Sequence, residues 1–316
     1  MRVTIAICTC RRPEGLARLL NALGQVDADD AVSIIVVEND ERREGAQVCQ
    51  QFADGYRWPL RCAIEPRPGI SYARNLAVAE SLRDMPDAIA MLDDDEWPER
   101  QWLRELLRIQ RATDADVVGG PVVPRFESSG TGWTNYRSYY GLDQRLPDGA
   151  ACVLYGAGNV LVRRSCFLDL MPEPFDPAFA LTGGEDLMFF QRLARMGFRM
   201  HWSTKAIVHE EVPPARMTMR WLRDRQRRRG CLNVVTQRLL EPGPYGETIR
   251  LLKTFASFLS AGALAAAGAI SPEFRGRAPL AFNYARGRLL GHRGRLLEPY
   301  RHTQSAPAFI RARPRQ

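Results

Sequence analysis

Several clusters of side chains in this 316-residue sequence have the types and spacing to do chemistry. Asp93-Asp94-Asp95 crowds three carboxylates behind an apolar run, so their pKa values rise or a cation sits among them. Mg2+ and Mn2+ favour such oxygen ligands and commonly share their other positions with substrate phosphates. A solvated acidic turn capping the next helix is the plainer alternative. Gly183-Gly184-Glu185-Asp186 sets two carboxylates at a helix start, where Asp186 could take a proton from a hydroxyl or simply favour the helix dipole. Arg67-Pro68-Gly69 and Arg74-Asn75 flank another helix start, a place suited to anionic groups, although surface arginines on a loop would look the same. His209 ends a short apolar stretch and could bind a metal or hydrogen-bond at a strand edge. Arg216–Arg229 carries seven arginines and one aspartate, a concentration suited to a diphosphate, an anionic membrane or a nucleic acid.

These clusters need elements to hold them. Val3–Cys8, Val32–Val37 and Ala88–Leu92 are short apolar runs of the kind expected for strands covered on both faces, and Arg61–Ile64 is a weaker one. Between them, Pro13 opens a helix with Leu16, Leu19, Leu20 and Leu23 on one stripe, a polar helix runs to about Phe52, and a third helix spans Ser71–Leu82. This alternation predicts a mainly parallel sheet with helices on both faces, which binds ligands beyond the carboxyl ends of its strands. Three strands end in polar clusters, Thr9–Arg12, Glu38–Asp40 and Asp93–Glu96, so all three should meet at one sheet edge. Further on, the pattern predicts helices over Pro98–Arg111, Glu185–Met196 and Arg216–Arg229. It also predicts a strand over Val153–Val162, interrupted at Gly156–Asn159, and a short one at Ala206–Val208. Trp133, Tyr136, Tyr139 and Tyr140 suggest a loop that stacks on a sugar.

Composition sets the outer bounds. At 45% apolar and 25% charged the chain can bury a sizeable core. Net charge is +8 overall, but residues 212–316 hold 20 basic and 5 acidic side chains and residues 1–211 are net acidic. The acidic part argues against nucleic-acid binding through the strand ends, although an arginine-rich tail keeps that reading as the alternative. A nucleotidyltransferase would want a Gly-rich basic phosphate loop after the first strand, and only Thr9–Arg12 is available. Seven scattered cysteines without a CxxC pair read as reduced, mostly buried thiols of a cytoplasmic protein. The start of the chain does not read as a signal peptide. Thr254–Ile270 is 17 residues without charge, shorter than the roughly 20 of a spanning helix, and favours peripheral membrane attachment with basic flanks over a true span, a buried helical hairpin being the plainer alternative.

Taken in order, Ile7-Cys-Thr-Cys-Arg-Arg-Pro13, Val36-Val-Glu-Asn-Asp40, Arg67–Asn75 with Leu92–Glu96, and Gly184-Glu-Asp186 resemble the inverting family 2 glycosyltransferases with the GT-A fold. The run Arg67–Asn75 with the acidic triplet is especially similar to the succinoglycan-type exopolysaccharide glucosyltransferases. The resemblance implies an α/β domain over residues 1–230, with a mixed, mainly parallel sheet flanked by helices, and a basic, partly apolar helical extension over 231–316. It implies that Thr9, Arg11, Glu38, Asp40, Arg67, Gly69, Arg74, Asp93, Asp94, Arg225 and Arg228 bind the nucleotide sugar, a UDP-sugar being favoured. By the same resemblance, Asp93, Asp95 and His209 would hold Mg2+ or Mn2+, Asp186 would be the catalytic base, and Gly158, Asn159 and Glu185 would meet the acceptor. Glu38 stands where the family usually has Asp. The acceptor implied is a saccharide or a polyprenyl-diphosphate-linked saccharide, at the inner face of the cell membrane, in surface polysaccharide or glycolipid synthesis. No Gln-x-x-Arg-Trp signature of long-polymer synthesis occurs, and no nucleic-acid partner is expected.

Overall fold

The computed structural model describes residues 1–127, 132–142, 144–297 and 309–311. They fall into two compact units, Met1–Val212 and Pro213–Gln316. The boundary expected at residue 230 instead lies inside a helix that runs unbroken from Met219 to Leu240.

The first unit begins with the predicted alternation: β1 (Arg2–Thr9), α1 (Pro13–Leu23), β2 (Ala31–Glu38), α2 (Glu44–Ala53), β3 (Leu60–Ile64), α3 (Ile70–Leu82) and β4 (Ala88–Asp93). It continues through β5 (Glu96–Pro98), α4 (Trp102–Thr113), β6 (Val117–Gly119), β7 (Val122–Phe126), β8 (Val160–Arg163), α5 (Arg164–Leu168), α6 (Glu185–Arg195), β9 (Met200–Trp202) and β10 (Val208–Val212). A seven-stranded sheet runs β3-β2-β1-β4-β8-β6-β9, and β5-β10-β7 form a smaller one. β8 is antiparallel to both β4 and β6, and the other neighbours in the large sheet are parallel.

Both faces of the large sheet are covered, and strand alternation divides the core between them. Ile5, Ile7, Ile34 and Val36 point to the side of Leu16, Leu19, Leu20 and Leu23, the α1 stripe, together with Trp102 and Leu106 of α4. Ala6, Ile35 and Val37 point to the side of Ala73, Ala77 and Val78 of α3, where Phe175, Phe189 and Phe190 also pack. With this register, Thr9 pairs with Glu38 and Cys8 with Asp93, so the three polar strand ends share one edge, as predicted.

Three expectations shift. The helix foreseen from Pro98 starts at Trp102, because Glu96–Pro98 pairs with β10 as a strand. Within Val153–Val162 the strand begins only at Val160; Asn159 has φ +59, which ends extended backbone there. The last predicted strand lies at Val208–Val212 rather than Ala206–Val208.

The second unit comprises α7 (Met219–Leu240), α8 (Pro244–Ile270), α9 (Pro272–Arg275), α10 (Arg277–His292) and the pair β11 (Arg295–Leu297) and β12 (Phe309–Arg311). Thr218 caps α7 by accepting from Trp221 N at 3.1 Å.

Candidate active site

At the shared edge, guanidinium groups hold carboxylates from separate elements together. Arg74 of α3 is almost fully buried and reaches two of them, donating from Nη1 to Glu185 Oε1 at 2.7 Å and from Nη2 to Asp93 Oδ1 at 2.9 Å. Its own burial disfavours the charge, but Glu185, Asp93 and Asp186 around it keep it protonated. Glu185 and Asp186 open α6 after Gly183 and Gly184, whose φ values of +72° and +94° suit glycine and swing the two carboxylates inward. Burial pushes both carboxylates up, opposed mainly by Arg74. Asp186 accepts from Leu187 N at 2.7 Å, and a Cβ on Gly156 would sit 3.8 Å from its other oxygen, so that oxygen borders the Gly156 loop. Glu185 Oε2 is buried without a partner among the described residues.

The acidic triplet divides its labour. Asp93 is 42% exposed and faces the open edge. Asp94 is buried, accepts from Thr9 Oγ1 (2.9 Å), Cys10 N (3.3 Å) and Arg12 Nη1 (2.8 Å), and is pushed by burial to about 6. The same Arg12 nitrogen reaches Asp95 at 2.8 Å. Asp93 N donates to the buried Glu96, against which Gly158 packs so closely that a Cβ there would lie 2.4 Å from Oε1. Cys8 lies among these groups, and burial raises its thiol to about 12, so it is no nucleophile.

On the β2 side, Glu38 is buried, accepts from Gly45 N at 2.6 Å at the start of α2, and leaves Oε1 without a partner among the described residues; burial raises its pKa. Arg11, at φ +56°, turns away to Asp40 (3.0 Å), whose pKa its hydrogen bond lowers. Asn39, which sequence reasoning passed over, accepts from Gly69 N (2.9 Å) and donates to the carbonyls of Glu65 and Arg67 (2.8 Å each), tying β2 to the Arg67–Gly69 turn. Gly69 has φ +133°, and a Cβ there would lie 2.7 Å from Ala180. Arg67 is exposed, pairs with Glu65 and lies over Tyr72.

Some expected ligand contacts are otherwise engaged. Thr9 is buried with its hydroxyl on Asp94. Asn159 is fully buried: it accepts from Trp102 Nε1 (2.7 Å) and donates to Pro121 O (2.9 Å) and Ala206 O (2.7 Å), so it braces the fold instead of meeting an acceptor. His209 pairs with Trp97 across the β5–β10 ladder, and alternation therefore puts it on the face opposite Glu96 and Glu210. Its Nε2 lies 3.0 Å from Glu99 and Arg125 donates to its Nδ1 at 3.1 Å, so side chains on that face engage both ring nitrogens. Arg12, absent from the expected set, is the arginine that closes on the acidic triplet, through Asp94 and Asp95, while its neighbour Arg11 pairs with Asp40. Arg225 and Arg228 belong to α7 of the second unit, where Arg225 lies over Trp221. All seven cysteines are free, Cys62 exposed and the others buried or half-buried.

No group of three His, Cys, Asp or Glu forms a ready metal cage among the described residues. Asp93, now on Arg74, and Asp95, now on Arg12, have the oxygen donors that suit a hard divalent ion, which takes one or two carboxylates and leaves its remaining positions to phosphate oxygens.

Comparison with known proteins agrees with this geometry. The profile of glycosyl transferase family 2 matches residues 4–170, and that of glycosyl transferase family group 2 matches residues 88–282. The succinoglycan biosynthesis protein ExoM of Rhizobium meliloti is 30% identical over 232 residues, 73% of each chain. Among solved structures, the mannosyltransferase PcManGT of Pyrobaculum calidifontis, in complex with GDP-Man and Mn2+, has a TM-score of 0.63 at 17% identity, covering 92% of this chain and 87% of its own. TarS of S. aureus in complex with UDP has a TM-score of 0.54 at 14% identity, covering 98% of both. With its mainly parallel sheet and this edge of carboxylates, the chain is a glycosyltransferase of GT-A fold and belongs to glycosyl transferase family 2.

Proposed function

We propose that this glycosyltransferase moves a sugar from a nucleoside diphosphate sugar to an acceptor hydroxyl with inversion, in building a surface polysaccharide or glycolipid. The observation that carries the reading is Arg74, which joins the exposed carboxylate of the acidic triplet to the Gly-Gly-Glu-Asp helix start. Donor-side and acceptor-side groups are thus parts of one network. ExoM, from succinoglycan biosynthesis, supports the polysaccharide assignment, and TarS with UDP and PcManGT with GDP-Man support a nucleotide-sugar donor, UDP being favoured.

In this reading Asp186 accepts the proton of the acceptor hydroxyl as its oxygen attacks the anomeric carbon and the bond to the diphosphate oxygen breaks. Burial makes Asp186 a better proton acceptor than an exposed aspartate. One in-line displacement needs no covalent nucleophile, and an α-linked donor gives a β-linked product. Glu38, Asp40, Arg11, Arg67 and Gly69 border the nucleoside end, while Asp93 and Asp95 would hold Mg2+ or Mn2+. When bound, that ion offsets charge on the departing diphosphate. A polyprenyl-diphosphate-linked saccharide as acceptor places the chain in the cytoplasm, in peripheral contact with the inner face of the membrane.

A thermal-shift series with UDP, GDP and dTDP, each with and without Mn2+, tests the donor half. Stabilisation that requires nucleotide and metal together is expected; stabilisation by nucleic acid alone would overturn the reading.

A further inference from the structure

Helix α8 is built inside out. Its buried residues are small or polar: Gly246, Arg250, Thr254, Ala261 and Gly268. Arg250 is 2% exposed and donates to Glu247 (2.9 Å) and to the carbonyl of Glu241 (2.8 Å). Thr254 meets His292 Nε2 at 3.0 Å and accepts from the equally buried Arg288 at 3.1 Å. The large apolar side chains point the other way. Leu251, Leu252, Phe255 and Leu259 are 52–64% exposed, Tyr245 is 81% exposed and Ile270 90%.

At 100° per residue these six share one arc with Gly262, Ala263, Ala266 and Ala269, and no charged residue of α8 falls within it. A helix on a soluble domain shows the reverse polarity. Helix α10 and Arg293, which follows its last turn, extend the surface: Phe282 and Leu289 are exposed, and so are Arg286 and Arg293, the four spaced i, i+4, i+7, i+11. Phe258 and Phe282 meet edge to face at 5.7 Å, joining the two helices there.

We propose that this face of the second unit docks in the plane of a bilayer rich in anionic phospholipid. α8 lies along the acyl boundary on its Leu-Phe face, and Arg286 and Arg293 sit at the level of the lipid phosphates. Two features favour lipid over a second copy of the chain. Arg286 and Arg293 alternate with Phe282 and Leu289, and residues 212–316 as a whole carry 20 basic against 5 acidic side chains, so pairing two copies brings like charge together. The polar network on the inner side of α8 belongs to the protein, which suits a helix lying in the interface rather than crossing it. The proposal rests on the membrane contact included in the function above and names the surface that makes it.

Flotation of the full chain with vesicles provides the test. The protein should rise with vesicles of phosphatidylcholine mixed with phosphatidylglycerol far more than with phosphatidylcholine alone, and added salt should weaken but not abolish this. Leu252→Ser with Phe255→Ser should cut the bound fraction about tenfold, and Arg286→Gln with Arg293→Gln about fivefold. The UDP-and-Mn2+ thermal shift, run on the same preparations, shows whether each variant remains folded. Wild-type flotation without a nucleotide response would leave the surface standing and sink the donor reading. Unchanged flotation of the Leu252/Phe255 variant would overturn the surface. So would sedimentation showing a wild-type dimer that this variant makes monomeric, with no lipid binding by either.

Discussion

Arg74 has two carboxylate partners and no aqueous shell, so its charge and its planar fork both matter. Arg74→Lys keeps the charge but cannot span both partners. Turnover should fall about 100-fold with a smaller change in donor KM, read from initial rates against nucleotide sugar. Asp186→Asn should leave nucleotide binding by calorimetry near wild type and lower kcat by about 10²–10⁴-fold; near-normal turnover would remove Asp186 as the base. At this scale the sequence displayed the acidic triplet and the Gly-Gly-Glu-Asp start because local spacing carries them. It could not show that Thr9 and Asn159 face inward, or that Arg12 rather than Arg11 closes on the triplet. Those outcomes depend on one positive φ at Arg11 and on strands distant in sequence.

The elements hold the site through a few tight backbone approaches. Gly69→Ala meets both an unfavourable φ and the Ala180 side chain, so it should lower stability by about 2 kcal/mol, measured by urea unfolding. Asn159→Ala strands the Trp102 indole N–H and two carbonyls and should cost about 3 kcal/mol in the same measurement, with little change in donor KM if the protein is assayed below its melting point. The first four strands and three helices were legible because each is a clean apolar run or stripe. β5, β6 and β9 are three residues each and set by pairing alone, which no local pattern announces. The face that His209 takes was not legible for that reason: it depends on the β5–β10 register.

Across the whole chain, the helical unit has its own acid-sensitive joint. Burial works against the charge of Glu247, yet His292, Arg250 and Arg238 together lower its pKa from 4.5 to about 2. A carboxylate shifted down in the folded state adds stability above its unfolded pKa and loses it as pH falls through the folded value. Circular dichroism melts should therefore show destabilisation between pH 4.5 and about 2, and Glu247→Gln should be less stable near neutrality and flatter across that window. Charge asymmetry made this unit visible in the sequence, but its start at Pro213 did not show, since arginines straddle the boundary chosen at 230. Sharing Arg74 between Asp93 and Glu185 has a corollary for binding: if donor and acceptor meet these two carboxylates as proposed, saturating one substrate should change the apparent KM of the other.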